Sequence, residues 1–159
     1  MKANLGIAVS ATALVALSLA MAGFVTPSAA APALVLPNAT MTPGALNPRV
    51  RQSTITKTIC KRGWTRTIRP SVHYTNALKL RQMILYRESG SPSDYEEDHF
   101  IPLELGGAPR NAKNLWPEPH SQSSVSDPLE TKLKRQLCRG MLTLAAARAA
   151  IRTFKDRRG

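Results

Sequence analysis

Asp98 and His99 open a run that continues through Pro102 and Gly106-Gly107 to Asn111, Asn114, Leu115 and Trp116. A carboxylate beside an imidazole suits hydrolysis of a phosphodiester. That reaction needs a nucleophilic water, charge neutralised on the phosphate and a stabilised leaving oxygen. A neutral imidazole accepts a proton from water near pH 7, which makes His99 the candidate general base. A carboxylate holds a hard cation near the leaving oxygen, which makes Asp98 the candidate metal ligand. Neighbours on a strand point to opposite faces. For both to serve one site, the chain must bulge or bend near Asp98, or the pair must flank the phosphate from two sides. Gly106-Gly107 allows the chain to turn back tightly.

The joined pattern is Asp-His, two residues, Pro, three residues, Gly-Gly, then Asn-Leu, with Asn114 fifteen positions after His99. It resembles the motif of the HNH endonucleases, the ββα-metal type, and covers about twenty residues. The resemblance implies an α+β fold: a small single domain with a ββα-metal core, a short β-hairpin followed by a helix, plus flanking helices. It also implies that Asn114 holds the turn and orients His99, and that one divalent cation is the cofactor, Mg²⁺ first, with Mn²⁺ or Zn²⁺ as alternatives. The family carries a His or Asn at the start of the helix as a second metal ligand. The helix expected from Asp127 to Cys138 contains neither, so His120 is the nearest candidate and Gln122 the next. Arg110 and Lys113, between the two strands, are candidate phosphate contacts or solvated loop residues.

The charge pattern fits a site of this kind. The 159-residue chain has 22 Lys and Arg against 10 Asp and Glu, a net charge of +12. Such a balance attracts polyanions: nucleic acid, anionic envelope polymers or lipid head groups. Arg49 to Arg87 holds ten basic residues and no acid, while Glu88 to Glu104 holds six of the ten acids. From Lys132 to Arg158 basic residues dominate again, nine to one. Acids between two phosphate-binding flanks need another task, and holding a cation is one; pairing with surface arginines is the plainer alternative, above all for Glu88, Asp94 and Glu96.

Further elements must carry the site. Thr54 to Ile59 alternates and is β-branched, which predicts a strand, and Trp64 to Arg69 predicts a second, ended by Pro70. Thr75 is a candidate cap for a helix over Asn76 to Tyr86. Tyr95 to Leu105 and Asn114 to Trp116 are the two site strands, the latter stopped by Pro117 and Pro119. After a Ser-rich loop, Asp127, Pro128 and Glu130 predict a helix start, with Leu129, Leu133 and Leu137 as its buried stripe. Gly140 ends it, and Thr143 caps a last helix from Leu144 to Phe154 with Ala147, Ile151 and Phe154 inward.

The ends of the chain bear on location. Residues 1–30 hold Lys2, an uncharged run from Leu5 to Val25 and small residues at Ser28 and Ala30. This predicts a signal peptide cleaved after Ala30, though the run is also long enough for an anchor. Cleavage leaves 21 basic and 10 acidic residues, a net charge of +11. Residues 31–52, rich in Pro, Ala, Thr and Asn, read as a flexible linker, and 53–156 as the nuclease-like domain. An exported chain with two cysteines predicts a Cys60–Cys138 disulfide; no C-x-x-C spacing favours a metal site. Three functions fit: a secreted endonuclease acting on DNA or RNA with little sequence preference, without stable membrane association; a non-catalytic basic module binding nucleic acid or an envelope polymer; and a membrane-tethered structural protein.

Overall fold

The computed structural model describes residues 34–157. The expected signal peptide lies outside the described residues. Strand β1 (Tyr95–His99) pairs antiparallel with β2 (Leu115–Pro119), with Tyr95 opposite Pro119 and His99 opposite Leu115. A long helix, residues His120–Cys138, leaves β2 directly. This is an α+β arrangement in ββα order, with three further α-helices in the described residues: α1 (Trp64–Ile68), α2 (Val72–Tyr86) and the last, Leu144–Asp156. The His120–Cys138 and Leu144–Asp156 helices are α3 and α4. No helix among the described residues is long and apolar enough to cross a membrane.

The core forms where the two-stranded sheet meets α3 and α4. Phe100, Ile101, Leu105, Trp116, Leu137, Ala147 and Ile151 are buried there. Leu133 and Leu137 lie on the buried stripe expected for α3, with Leu129 packed partly against it. Helix α4 starts where its sequence says, the Thr143 hydroxyl accepting from the Ala146 amide at 3.1 Å. Cys60 and Cys138 are bridged, their Cα atoms 5.5 Å apart, which ties the start of the fold to the end of α3.

The chain departs from its expected course in several places. Gln52–Lys57 is a 3-10 helix and Trp64–Ile68 an α-helix, where strands were expected. Their threonine hydroxyls donate back into the local turn, Thr58 to the Thr54 carbonyl at 2.8 Å and Thr67 to the Trp64 carbonyl at 2.7 Å. That local bonding offsets the β-branched preference for strands, and Ile59 and Trp64 reach the core from these turns. Helix α2 begins four residues early, at Val72; Ser71 caps the Tyr74 amide, and the Thr75 hydroxyl donates to the Val72 carbonyl instead. Strand β1 stops at His99, and Leu103–Leu105 is a 3-10 turn. Strand β2 runs through both prolines to Pro119; with two strands only, each has an edge where a missing N–H costs no ladder bond.

A further departure is the start of α3. It begins at His120 and carries Pro128 inside it. Ser124 and Ser126 hydroxyls donate to the Ser121 and Ser123 carbonyls, and Gln122, Ser123 and Ser126 are buried. Packing of that first face outweighs the bond lost at the exposed Pro128. The last is residues 34–51, expected as a linker. Val35 exchanges two bonds of 2.8 Å with the Gln122 amide, Thr42 bonds Tyr86 and the Leu115 carbonyl, and Val50 is buried. Low periodicity in that stretch reflects irregular docking of its backbone, with Gly44 and Ala45 both donating to the Lys113 carbonyl.

Candidate functional site

His99 ends β1, buried, and its Nε2–H donates to the Pro109 carbonyl at 3.1 Å. A carbonyl only accepts, so the contact fixes the proton on Nε2 and leaves Nδ1 with its lone pair. Burial lowers the His99 pKa below its usual value, more strongly than the nearby Asp98 carboxylate raises it. The ring is therefore neutral at pH 7, the form a base requires.

Asn114 is fully buried and staples the loop that frames His99. Its Oδ1 accepts from the Ile101 amide at 2.9 Å; its Nδ2 donates to the Ile101 and Ala108 carbonyls at 3.0 and 3.2 Å. It makes no hydrogen bond to His99. It fixes the backbone one residue before Pro109, so its hold on the ring is indirect. The glycine pair is required for the same turn. Gly106 has φ +80°, and a Cβ at Gly107 would run into the Ile101 carbonyl and the Asn114 Nδ2.

Asp98 points to the other face of β1, the one covered by α3 and α4. There the Lys155 ammonium, wholly buried, pairs with Asp98 Oδ2. The same nitrogen lies 2.8 Å from Glu130 Oε1, 3.5 Å from Glu118 Oε2 and 3.0 Å from the His99 carbonyl oxygen. Burial, the largest influence, pushes Asp98 up, but Lys155, a hydrogen bond with Glu118 and the neighbouring His99 together outweigh it and hold the carboxyl below its usual range. Burial, then the charge of Asp98, pushes Glu118 and Glu130 up.

No bulge brings Asp98 and His99 together. Both lie where β1 ends, and both line two adjoining hollows of about 330 and 310 Å³. Arg69 and Glu96 line both hollows as well. His120, exposed as the first residue of α3, lines the larger one. Asp127, two turns along α3, lines the smaller one with Glu130. Gln122 does not line either hollow; its amide is engaged by Val35. Arg110 and Lys113 also stand outside the hollow linings. Arg110 stacks 5.0 Å from the centre of the Tyr74 ring, and Lys113 is exposed on the turn before β2.

A hard divalent cation takes one or two carboxylates, keeps several waters and shares substrate phosphate oxygens. Asp98 shares one hollow with His120 and the other with Asp127, which are donor types such an ion accepts, and no group of three such side chains is pre-assembled among the described residues. Sequence reasoning missed Arg69, Asp127, Glu118, Glu130 and Lys155. Asp127 was within reach: it falls seven residues after His120, on the same helical face once α3 is started at its true first residue. Arg69 had no signal beyond its place in the basic flank. No family model, curated protein or solved structure matches the chain.

Proposed function

We propose that the chain is an exported, metal-dependent endonuclease of the HNH type, hydrolysing phosphodiester bonds of DNA, or of RNA, with little sequence preference. The observation that carries this reading is the His99 ring. It is held by the Pro109 carbonyl in the tautomer that leaves the Nδ1 lone pair available, in the lining of hollows shared with Asp98 and Arg69. His99 Nδ1 takes the proton of the attacking water. Arg69 supplies a guanidinium to the scissile phosphate, for which its fork of donors is suited. Asp98, with His120 or Asp127, holds one divalent cation, Mg²⁺ or Mn²⁺. When bound, that cation supplies neutralising charge to the phosphate and the leaving oxygen. Asn114 keeps the loop behind His99 in register. The net charge of +12 gathers the polyanion without reading its sequence.

The second reading, a non-catalytic module binding nucleic acid or an anionic polymer, has one observation in its favour. Asp98 is already paired with Lys155. The two readings part on one experiment. The purified protein is incubated with supercoiled plasmid and with RNA, in Mg²⁺ or Mn²⁺ and again in excess chelator. Metal-dependent nicking that the chelator stops is the expected result. Salt-sensitive binding with no cleavage in any metal would replace the nuclease by the module.

A further inference from the structure

Lys155 continues the apolar stripe of α4. Leu144, Ala147, Ile151 and Lys155 are all buried on one face. A fourth apolar residue would extend that face with no charge to compensate. Burying an ammonium is costly unless it is paired and fully hydrogen-bonded. Here it is paired with three carboxyl groups. It donates hydrogen bonds to Asp98 and to the His99 carbonyl at 3.0 Å, and Glu130 Oε1 at 2.8 Å and Glu118 Oε2 at 3.5 Å lie within ion-pair distance. A buried pair of this kind adds little net stability over an apolar replacement, so packing alone does not account for it. The cluster is also not remote. Two of its contacts are to Asp98 and to the backbone of His99.

We propose that Lys155 is a tethered cation that occupies the Asp98–Glu118–Glu130 carboxylate cluster in place of a metal ion and thereby keeps the divalent-cation affinity of Asp98 low. This rests on Asp98 being the metal ligand of the proposed nuclease. Oδ2 of Asp98 is committed to the ammonium, and a second positive charge on the same carboxylate is repelled by the first. The free protein then holds metal weakly. A bound phosphate, bringing its own negative charge and oxygen ligands, restores the attraction. Metal and nucleic acid are taken up together.

Calorimetric titration with Mn²⁺ alone, on the wild-type protein and on Lys155→Gln, tests this without reading cleavage. Glutamine keeps a hydrogen-bond donor in the cluster and removes the charge. At least a tenfold tighter Mn²⁺ affinity in the variant is expected. Thermal unfolding of the variant with and without Mn²⁺ covers the case in which it does not fold alone. A variant that folds only with Mn²⁺ also supports the inference, because the metal then takes the place of the ammonium. Unchanged or weaker affinity overturns it, as does a variant unfolded in both conditions. The nuclease reading fails separately, by absence of metal-dependent cleavage in the wild type, whatever the variant binds.

Discussion

In the proposed mechanism the imidazole of His99 acts as a base only while its Nδ1 lone pair is free. His99→Ala should cut cleavage at least about a hundredfold, the lower end of what a general base contributes, with nucleic-acid binding retained. Near-normal cleavage by the variant removes His99 from the mechanism. The pH profile follows from the lowered pKa. The active form is the unprotonated one, so the rate should rise with pH through a midpoint below the usual imidazole value of 6.5. A midpoint above 6.5 contradicts the buried neutral ring. Glu97 offers a test of stability. It is buried on β1 two residues before His99, neither of its oxygens has a hydrogen-bond partner, and its pKa is pushed up to about 8, chiefly by burial. Unfolded, it ionises near the ordinary glutamate value of 4.5. The folded state therefore holds the proton more tightly, and stability is lost as pH rises from there toward 8. Glu97→Gln should raise stability at pH 8 by about 1–3 kcal/mol and do much less at pH 4.5. Equal effects at the two pH values would mean that the carboxyl is solvated.

Helix α3 is the element on which the site depends most. Its first residue is His120, and Asp127 and Glu130 follow on the face that lines the hollows. Pro128 therefore sits inside a helix and leaves the Ser124 carbonyl without its intrahelical donor. Replacing it by alanine restores that donor at an exposed position. Pro128→Ala should stabilise the protein, by up to about 3 kcal/mol, read as a higher Tm. Were Pro128 the first helical position instead, the change would be neutral or harmful. The far end of α3 is tied by the disulfide. Intact mass should differ by two hydrogens on reduction, and Cys60→Ser should cost about 2–5 kcal/mol. Free thiols in protein recovered from an oxidising compartment would contradict the bridge.

The whole molecule carries its charge unevenly, basic flanks around an acidic centre. If nucleic acid binds along those flanks as proposed, its phosphate contacts release counterions. With metal absent, DNA affinity should fall linearly in log salt, with a slope of about 0.9 per phosphate neutralised, and should hardly vary with sequence. Binding indifferent to salt would move recognition away from the basic surface. The tethering of residues 34–51 matters at this scale too. Val35 locks the Gln122 amide in the first turn of α3, and Thr42 reaches the Leu115 carbonyl where β2 begins. The segment thus braces both elements that carry the site.

The sequence by itself determined what depends on neighbours along the chain. The turn around His99 was legible because Pro102, Gly106, Gly107 and Asn114 act on one another within a dozen or so residues, through backbone angles and short hydrogen bonds. Helix α4 was legible from its cap and its apolar period, and the disulfide from an even cysteine count. Tertiary structure decided where local preference was weak or opposed by packing. Thr54 to Ile59 reads as a strand, yet its threonines bond the turn and no sheet edge receives it. The Ser-rich stretch after Pro119 reads as a loop, yet buried contacts make it the first turns of α3. Lys155 is the extreme case. It meets Asp98 from 57 residues away, and only the packing of α4 on α3 brings that one lysine among the carboxylates, since periodicity gives a face and not the partner opposite it.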